Sequence, residues 1–169
     1  MAAFKHLYHT AFPKYEQKPF FIIKKNARRG IVEMLEIDED GEFCGLAITI
    51  HYKDLVLLDY FAITPEKKGK GIGSKTLSLI KEKYKSNRLL LEIEAIGEEH
   101  SNNQQRIKRQ AFYMNNGMVN TGKYVNLFGT EMLILSNGKP FTFDEYKNIY
   151  KNSSTLYFFI GLPKEIITS

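Results

Sequence analysis

Apolar and polar residues alternate along the first part of the chain in a pattern that predicts an antiparallel meander of about three strands. Residues 31–38 and 42–52 have strand character. The Asp40-Gly41 pair between them is typical of a type I′ turn, whose two central residues need positive φ. The apolar run at residues 55–63 follows a short polar turn and suits a central strand.

After Pro65 the apolar spacing changes from the period of a strand to that of a helix. The predicted helical stripe consists of Ile72, Leu77, Ile80 and Tyr84. Residues 88–96 are again a short apolar strand. A right-handed crossover through the helix would return this strand parallel to residues 55–63.

The remaining segments predict short helices and a second hairpin. The N-terminal thirty residues indicate a helix at 4–10 and then a loop with Pro13 and Pro19. Later elements are a helix from Ser101 or Asn102 to Asn115, stopped by Gly117, a hairpin of residues 119–127 and 130–135, and a helix at 143–150. The predicted fold class is α+β, with a mixed sheet and two long helices packed on it.

Composition places the chain among globular proteins of one domain. Its 169 residues, 43% hydrophobic and 25% charged, suit a single domain spanning residues 1–169. No apolar run approaches the roughly 18 residues that span a bilayer, and residues 1–6 lack the apolar core of a signal peptide. Cys44 is the single cysteine, which excludes an internal disulfide. We expect a cytoplasmic protein without a metal site.

The net charge of +5 is concentrated in one segment. Residues 64–88 contain eight lysines and arginines against two glutamates, and a smaller basic cluster follows at residues 106–109. Such clustering favours a phosphate-bearing partner, although a solvated helix face has the same composition.

The most informative segment is the glycine-rich stretch at residues 67–76, between a predicted strand and a predicted helix. Gly69, Gly71 and Gly73 allow backbone N–H groups to point inward together, and Lys68 and Lys70 add positive charge. The N-terminus of the following helix contributes further free donors. This loop is therefore predicted to bind an anion, most simply a phosphate.

Two nucleotide-binding motifs fit this stretch poorly. Counted from Gly69, a Walker A loop would need a second glycine where Ser74 stands before Lys75-Thr76. The Rossmann glycine pattern also fails by one residue. The preceding antiparallel hairpin argues against a P-loop fold, whose sheet is largely parallel.

A third interpretation accounts for more of the sequence. Residues 63–73 resemble the acetyl-CoA-binding motif of the GNAT family of N-acetyltransferases, with Ile63 for the usual Val and Lys68 for the usual Arg or Gln. Residues 112–118 resemble the family's aromatic-Tyr-x-x-x-Gly-Phe segment, with Met118 in place of Phe. The resemblance covers residues 30–135, and the order of elements around the two motifs agrees with the family.

The resemblance implies acetyl-CoA as acetyl donor and a mixed, mostly antiparallel sheet. Its central parallel strand pair splays apart, and helices cover both faces. The pantetheine arm would lie in the gap along one strand, and loop amides would hold the pyrophosphate. Arg106 stands where the family often has Asn. The implied contacts with acetyl-CoA are Phe61, Ala62, Ile63, Lys68, Gly69, Lys70, Gly71, Ile72, Gly73, Ser74 and Arg106.

The chemistry of amine acetylation needs a base and an acid. An amine must lose a proton before it attacks, and the departing thiolate must gain one. By its motif position, Tyr113 is the predicted acid. Asp59 and Glu94 are the candidates for the base or for amine binding, because acids inside apolar strands are costly unless they have a role. Glu92 lies on the same strand as Glu94, and a water molecule relaying the proton is an equal alternative.

The predicted function is transfer of an acetyl group from acetyl-CoA to a primary amine, on a small molecule or peptide, by direct attack in a ternary complex. A non-catalytic acyl-CoA-binding regulator of the same fold is the first alternative, and a P-loop nucleotidase is the second. Neither a nucleic-acid nor a membrane partner is expected. The oligomeric state, including a homodimer, is left open.

Overall fold

The computed structural model describes residues 1–153 and 162–166. Its helices are α1 (Ala2–Ala11), α2 (Phe20–Arg28), α3 (Ile72–Lys83), α4 (Asn103–Asn115) and α5 (Phe143–Ser153). Its strands are β1 (Val32–Glu39), β2 (Glu42–Tyr52), β3 (Leu55–Ile63), β4 (Arg88–Glu94), β5 (Val119–Leu127), β6 (Thr130–Ser136) and β7 (Lys164–Ile166). Within these ranges, no helix is long and apolar enough to cross a membrane.

The strands form one sheet in the order β1-β2-β3-β4-β6-β5-β7. Every neighbouring pair is antiparallel except β3 and β4, which are parallel as the crossover argument predicted. The first hairpin turns at Asp40 and Gly41 with φ of 55° and 81°, as a type I′ turn requires. Phe128 and Gly129 turn the second hairpin with φ of 53° and 87°. The predicted mixed α+β fold is confirmed.

Two elements depart from the predicted order. The loop expected after the first helix contains α2, because Pro19 begins a helix there instead of breaking one. The amide of Ile22 donates to the carbonyl of Pro19 at 2.8 Å, and proline is well suited to a helix start because it donates no hydrogen bond of its own. Strand β7 was also not predicted. It has three residues and pairs with Tyr124, Val125 and Asn126 of β5.

Helices cover both faces of the sheet, and each face has its own apolar core. Helices α1, α2 and α5 pack on one face, which we call the α5 face, where Phe4, Tyr8 and Tyr146 are completely buried. Helices α3 and α4 pack on the other, the α3/α4 face, around Leu77 and Leu91. Both clusters use alternate residues of the same strands, as the two-residue period of a strand requires.

The parallel pair splays apart halfway along its length. Pairing runs from Leu55 opposite Arg88 to Leu58 opposite Leu91 and stops there. At the same level β3 carries a bulge, since Thr49 of β2 faces Leu58 while the preceding residue, Ile48, faces Tyr60. Asp59 is the extra residue. The separated ends of β3, after residue 58, and of β4, after residue 91, enclose what we call the gap.

Candidate active site

The glycine loop lies on the α3/α4 face and ends in a helix N-terminus without a side-chain cap. Gly69 and Gly71 have φ of 76° and 80°, in the left-handed region that favours glycine. The first bond of the helical turn runs from the amide of Lys75 to the carbonyl of Gly71 at 3.0 Å. The amides at residues 72–74 precede it, so they are available to an anion in the way the sequence predicted.

The lysines around this loop differ in their partners. Lys67 pairs with Glu42 at 2.6 Å, and Lys75 lies 4.0 Å from Glu39. Lys68 and Lys70 are exposed, and neither forms an ion pair with any residue that the structure describes. These two predicted contact residues therefore place uncompensated positive charge beside the free amides.

The glycine loop also contacts the second sequence motif. A Cβ atom added to Gly73 would lie 3.4 Å from Cζ of Phe112 on α4 and 3.8 Å from Cγ1 of Ile63 on β3. The rings of Phe112 and Tyr113 meet edge to face, with centroids 5.1 Å apart. The loop, the end of β3 and the tyrosine thus form one continuous region.

Tyr113 is partly buried against the core of the α3/α4 face. Burial raises the pKa of its phenol to about 12, and the positive charge of Arg109 opposes that rise. The hydroxyl forms no hydrogen bond with another of the described residues. The hydroxyl is therefore available to a ligand as far as the described residues go, and its role as the acid stays a prediction.

Phe61, Ala62 and Ile63 line the gap with one free strand edge. Their other edge pairs with β2, with Ile63 opposite Gly45 and Ala62 opposite Leu46. On the side of β4 the pairing has already ended at Leu58. Backbone N–H and C=O groups that face the gap are thus open to an extended ligand, which can bind as an added strand does.

Glu94 and Arg106 form a buried pair at the end of β4. The Arg106 side chain is 8% exposed, and its Nη2 donates to Oε1 of Glu94 at 3.1 Å. Its Nη1 and Nε donate to the carbonyl of Ala95 and to Oδ1 of Asn102, both at 2.8 Å. Arg109 approaches the second Glu94 oxygen at 3.4 Å. Contact of Arg106 with a phosphate stays a prediction, and it would require these bonds to break.

Asp59, the bulge residue, is paired with a lysine that sequence reasoning did not single out. Nζ of Lys18 donates to Oδ2 of Asp59 at 2.5 Å, with the side chains 15% and 9% exposed. The same ammonium lies 5.5 Å and 5.7 Å from the ring centroids of Tyr60 and Tyr150. The Tyr60 hydroxyl donates to the carbonyl of Glu16 at 2.6 Å. The loop between α1 and α2 is therefore fixed to β3 at the mouth of the gap.

The same loop brings a further acid toward Glu94. Glu16 is half-buried, and its pKa is raised by burial and then by the negative charge of Glu94, while Arg109 lowers it. The sequence carried no signal for Glu16, because its segment was interpreted as a loop between prolines.

Glu92 is held by two tyrosines of α5. The hydroxyls of Tyr146 and Tyr150 both donate to its Oε1. Burial raises the pKa of Glu92 to about 7, against the lowering effect of the two hydroxyls. A signal for this cluster existed in the sequence: an acid within an apolar strand, and two tyrosines four residues apart on a predicted helix.

Several acetyltransferases are among the solved structures with a similar fold. An acetyltransferase of the GNAT family from Bacteroides thetaiotaomicron has a TM-score of 0.70 at 19% identity, over 94% of this chain and 90% of its own. The ribosomal-protein-S18-alanine N-acetyltransferase of Escherichia coli has a TM-score of 0.50 at 18% identity, over 71% and 81%. A Bacillus subtilis acetyltransferase in complex with CoA has a TM-score of 0.52 at 14% identity, over 69% and 81%. At these identities the likeness shows a shared fold.

The sequence itself matches a family. No curated protein matches it significantly. The model of the acetyltransferase (GNAT) family matches residues 1–117, which include the glycine loop, the end of β3 and Tyr113. The chain belongs to the GNAT family of acetyltransferases.

Proposed function

We propose that this protein transfers the acetyl group of acetyl-CoA to a primary amine of a small molecule or peptide, by direct attack in a ternary complex. The observation that carries the proposal is the continuous path from the uncapped glycine loop to the open edge of β3. The path suits one extended molecule whose anionic diphosphate would bind at the glycine loop and whose amide-containing chain would bind along the edge of β3.

Acetyl-CoA has the chemistry that this path would bind. Its pyrophosphate would accept hydrogen bonds from the amides at residues 69–74, with Lys68 and Lys70 compensating its charge. Its pantetheine amides would pair with the backbone of residues 61–63, which places the thioester in the gap. Backbone donors there would stabilise the oxyanion that forms on the acetyl carbonyl.

Tyr113 is the proposed acid for the departing thiolate. It lies beside Phe112, which contacts the glycine loop, and its hydroxyl bonds to no other residue that the structure describes. A phenol with a pKa of about 12 is a weak acid for an exposed thiol, whose pKa is about 8.5. Burial raises the pKa of a thiol as well, so the pKa values of the phenol and of a buried thiol lie closer together.

The proposed acceptor enters from the α5 face. The carboxylates of Asp59 and Glu92 lie on that side of the gap, and Asp59 is paired with Lys18. Glu92 has only hydroxyl groups as hydrogen-bond partners among the described residues, so its carboxylate favours a ligand that carries an ammonium group. The similar E. coli enzyme is a ribosomal-protein-S18-alanine N-acetyltransferase, which agrees with an amine as acceptor.

The structure disfavours the P-loop alternative, since antiparallel strands β1 and β2 precede the glycine loop in the same sheet. An experiment can distinguish the enzyme from an acyl-CoA-binding regulator of the same fold. We expect a panel of primary amines to include acceptors that release CoA thiol from acetyl-CoA, with product confirmed by mass. Binding of acetyl-CoA without amine-dependent release from any member of the panel would identify a regulator instead.

A further inference from the structure

The ammonium of Lys18 lies at the mouth of the gap, on the α5 face. It donates to Oδ2 of Asp59 at 2.5 Å, and Asp59 is the first residue of β3 beyond its last pair with β4. The two rings over which it lies, those of Tyr60 and Tyr150, belong to the core of the α5 face. The amine therefore lies on the side of the gap from which the proposed acceptor enters.

The main chain at Lys18 is fixed before and after the side chain. Its amide donates to the hydroxyl of Tyr60 at 3.2 Å, and its carbonyl accepts a bond from the hydroxyl of Tyr8 at 3.0 Å. Both tyrosines are buried in the core of the α5 face. The side chain can move without breaking these bonds, since it is a flexible stem of four carbons. The amine is thus tethered beside the gap, which gives it a high effective concentration toward a group bound there.

No other lysine of the described residues is bonded to the separated strand ends. Lys68 and Lys70 lie at the glycine loop, where the pyrophosphate would bind. Lys67 and Lys75 pair with acids at the turn between β1 and β2. Within the described ranges, Lys18 is consequently the lysine that lies where the acetyl group of a bound acetyl-CoA would arrive.

We propose that Lys18 is a site of self-acetylation, which receives the acetyl group of acetyl-CoA bound to its own chain when no external amine is present. The inference rests on the proposed acetyl transfer. The ammonium of Lys18 loses a proton to Asp59, which already accepts its hydrogen bond. The nitrogen then forms the N–C bond, the C–S bond of the thioester breaks, and Tyr113 protonates the thiolate. The second proton of the nitrogen restores the phenol, and the proton on Asp59 passes to solvent.

Acetylation changes the charge on the acceptor side of the gap. The amide nitrogen of an acetylated lysine carries no positive charge, so Asp59 loses the cation with which it is paired. The amide is also no longer a nucleophile. Self-acetylation at this site therefore ends after one acetyl group per chain, whereas transfer to an external amine continues through many turnovers.

Incubation of the protein with acetyl-CoA and no amine tests the site. The wild type should release one equivalent of CoA per chain and gain one acetyl group, located at Lys18 by peptide mass spectrometry, with any acetyl group present after purification included in the count. The rate should not depend on protein concentration, because the amine and the bound acetyl-CoA belong to one chain. Lys18→Arg keeps a positive charge beside Asp59 but has no amine to acetylate, so it should release no CoA. The matched control is Lys14→Arg, which changes an exposed lysine of the same loop and should keep the full equivalent.

The source of the acetyl group is tested with Gly71→Asp, which places a carboxylate at the N-terminus of α3 and should not bind acetyl-CoA. Acetylation of Lys18 at the same rate in this variant, or a rate that rises with protein concentration, would overturn the inference. An unmodified Lys18 in a wild type that acetylates a member of the amine panel would overturn it while acetyl transfer stands. A wild type that binds acetyl-CoA but acetylates neither Lys18 nor any amine would overturn the proposed function together with this inference.

Discussion

The two sides of the gap offer a ligand different chemical groups. On the α3/α4 face, the groups available to a ligand are backbone amides, an unpaired strand edge and two exposed lysines. On the α5 face they are side chains that already have partners, in the pair Lys18–Asp59 and in the cluster of Glu92 with two tyrosines, and the buried pair Arg106–Glu94 lies at the end of β4.

The two sides therefore place different requirements on the sequence. Backbone donors need only the right φ and no bulky side chain, so we expect the α3/α4 face, the proposed cofactor side, to tolerate many substitutions outside its glycines. A buried charge pair needs both partners at once, since loss of one leaves the other uncompensated. We therefore expect variants of the first side to change binding and variants of the second to change stability and acceptor chemistry.

The largest expected effect is on the cofactor side, at Gly71. Gly71→Asp places a carboxylate at the N-terminus of α3, where an anion should bind. In the wild type, a hundredfold excess of acetyl-CoA over its Kd should stabilise the fold by about 2.7 kcal/mol, or about 5–10 °C in Tm for a chain of this length. The variant should show no such shift in a thermal unfolding assay.

The control at this position is Gly71→Asn, which has nearly the same shape and tolerates the left-handed φ similarly, but carries no charge. It should keep part of the thermal shift. An unchanged acetyl-CoA affinity in the aspartate variant would show that the loop does not hold the pyrophosphate.

The next effect concerns the acid. Tyr113→Phe should slow acetyl transfer by about 10²–10⁴-fold, the usual range for a positioned acid, while acetyl-CoA affinity changes little because the ring remains. Single-turnover rates are the measurement, since product release can mask a chemical step. Tyr52→Phe, at the far end of β2, should leave the rate unchanged. Full activity of the Tyr113 variant would assign thiolate protonation to water.

A matched pair of cations tests the comparison directly. Arg106→Met removes a buried partner of Glu94 and should lower the free energy of unfolding by about 2–4 kcal/mol. Lys68→Met removes an exposed cation and should change stability by less than about 0.5 kcal/mol, but weaken acetyl-CoA binding. Denaturant titrations and binding isotherms of both variants provide the comparison. A stable Arg106 variant with weakened acetyl-CoA binding would instead support the predicted phosphate contact.

The smallest effect is a pH dependence on the α5 face. The pKa of Glu92 is raised from 4.5 to about 7 in the folded protein. Its protonated form is therefore favoured by folding, and the contribution is complete below about pH 4.5 and lost as pH rises through about 7. Glu92→Gln cannot titrate. Relative to the wild type, the free energy of unfolding of this variant should rise by about 1–3 kcal/mol as the pH increases over this range. The measurement is unfolding at a series of pH values. Parallel curves of unfolding free energy against pH for the two proteins would contradict the raised pKa.

The sequence predicts the local structure of the proposed cofactor side, the α3/α4 face of the gap, because that structure depends on short-range geometry. The type I′ turn at Asp40-Gly41, the crossover from β3 to β4 and the glycine loop each depend on residues close together in the chain. Tyr113 was found through a motif in the same way. Short-range geometry limits the number of conformations such segments can adopt.

The side-chain contacts of the α5 face, the proposed acceptor side, could not be predicted because the contacting residues are distant in the chain. Lys18 and Asp59 are 41 residues apart, and Tyr146 and Glu92 are 54 apart. No periodicity links such residues, and only the fold brings them together. Sequence reasoning chose Asp59 and Glu94 from the acids of the two strands, and the structure shows that both are already paired with cations.

The bulge at Asp59 determines on which face of the sheet each later side chain of β3 lies. Leu57 and Tyr60 both belong to the core of the α5 face, and Leu58 and Phe61 to that of the α3/α4 face. The two residues of each pair are three positions apart instead of two or four. The extra residue has therefore shifted the alternation of the strand between the two faces by one position. Deletion of Asp59 would remove the bulge and leave Tyr60 and Phe61 on their present faces, whereas a deletion after it that keeps the bulge would exchange the faces of the residues beyond. Length, more than residue identity, is therefore what this segment has to preserve.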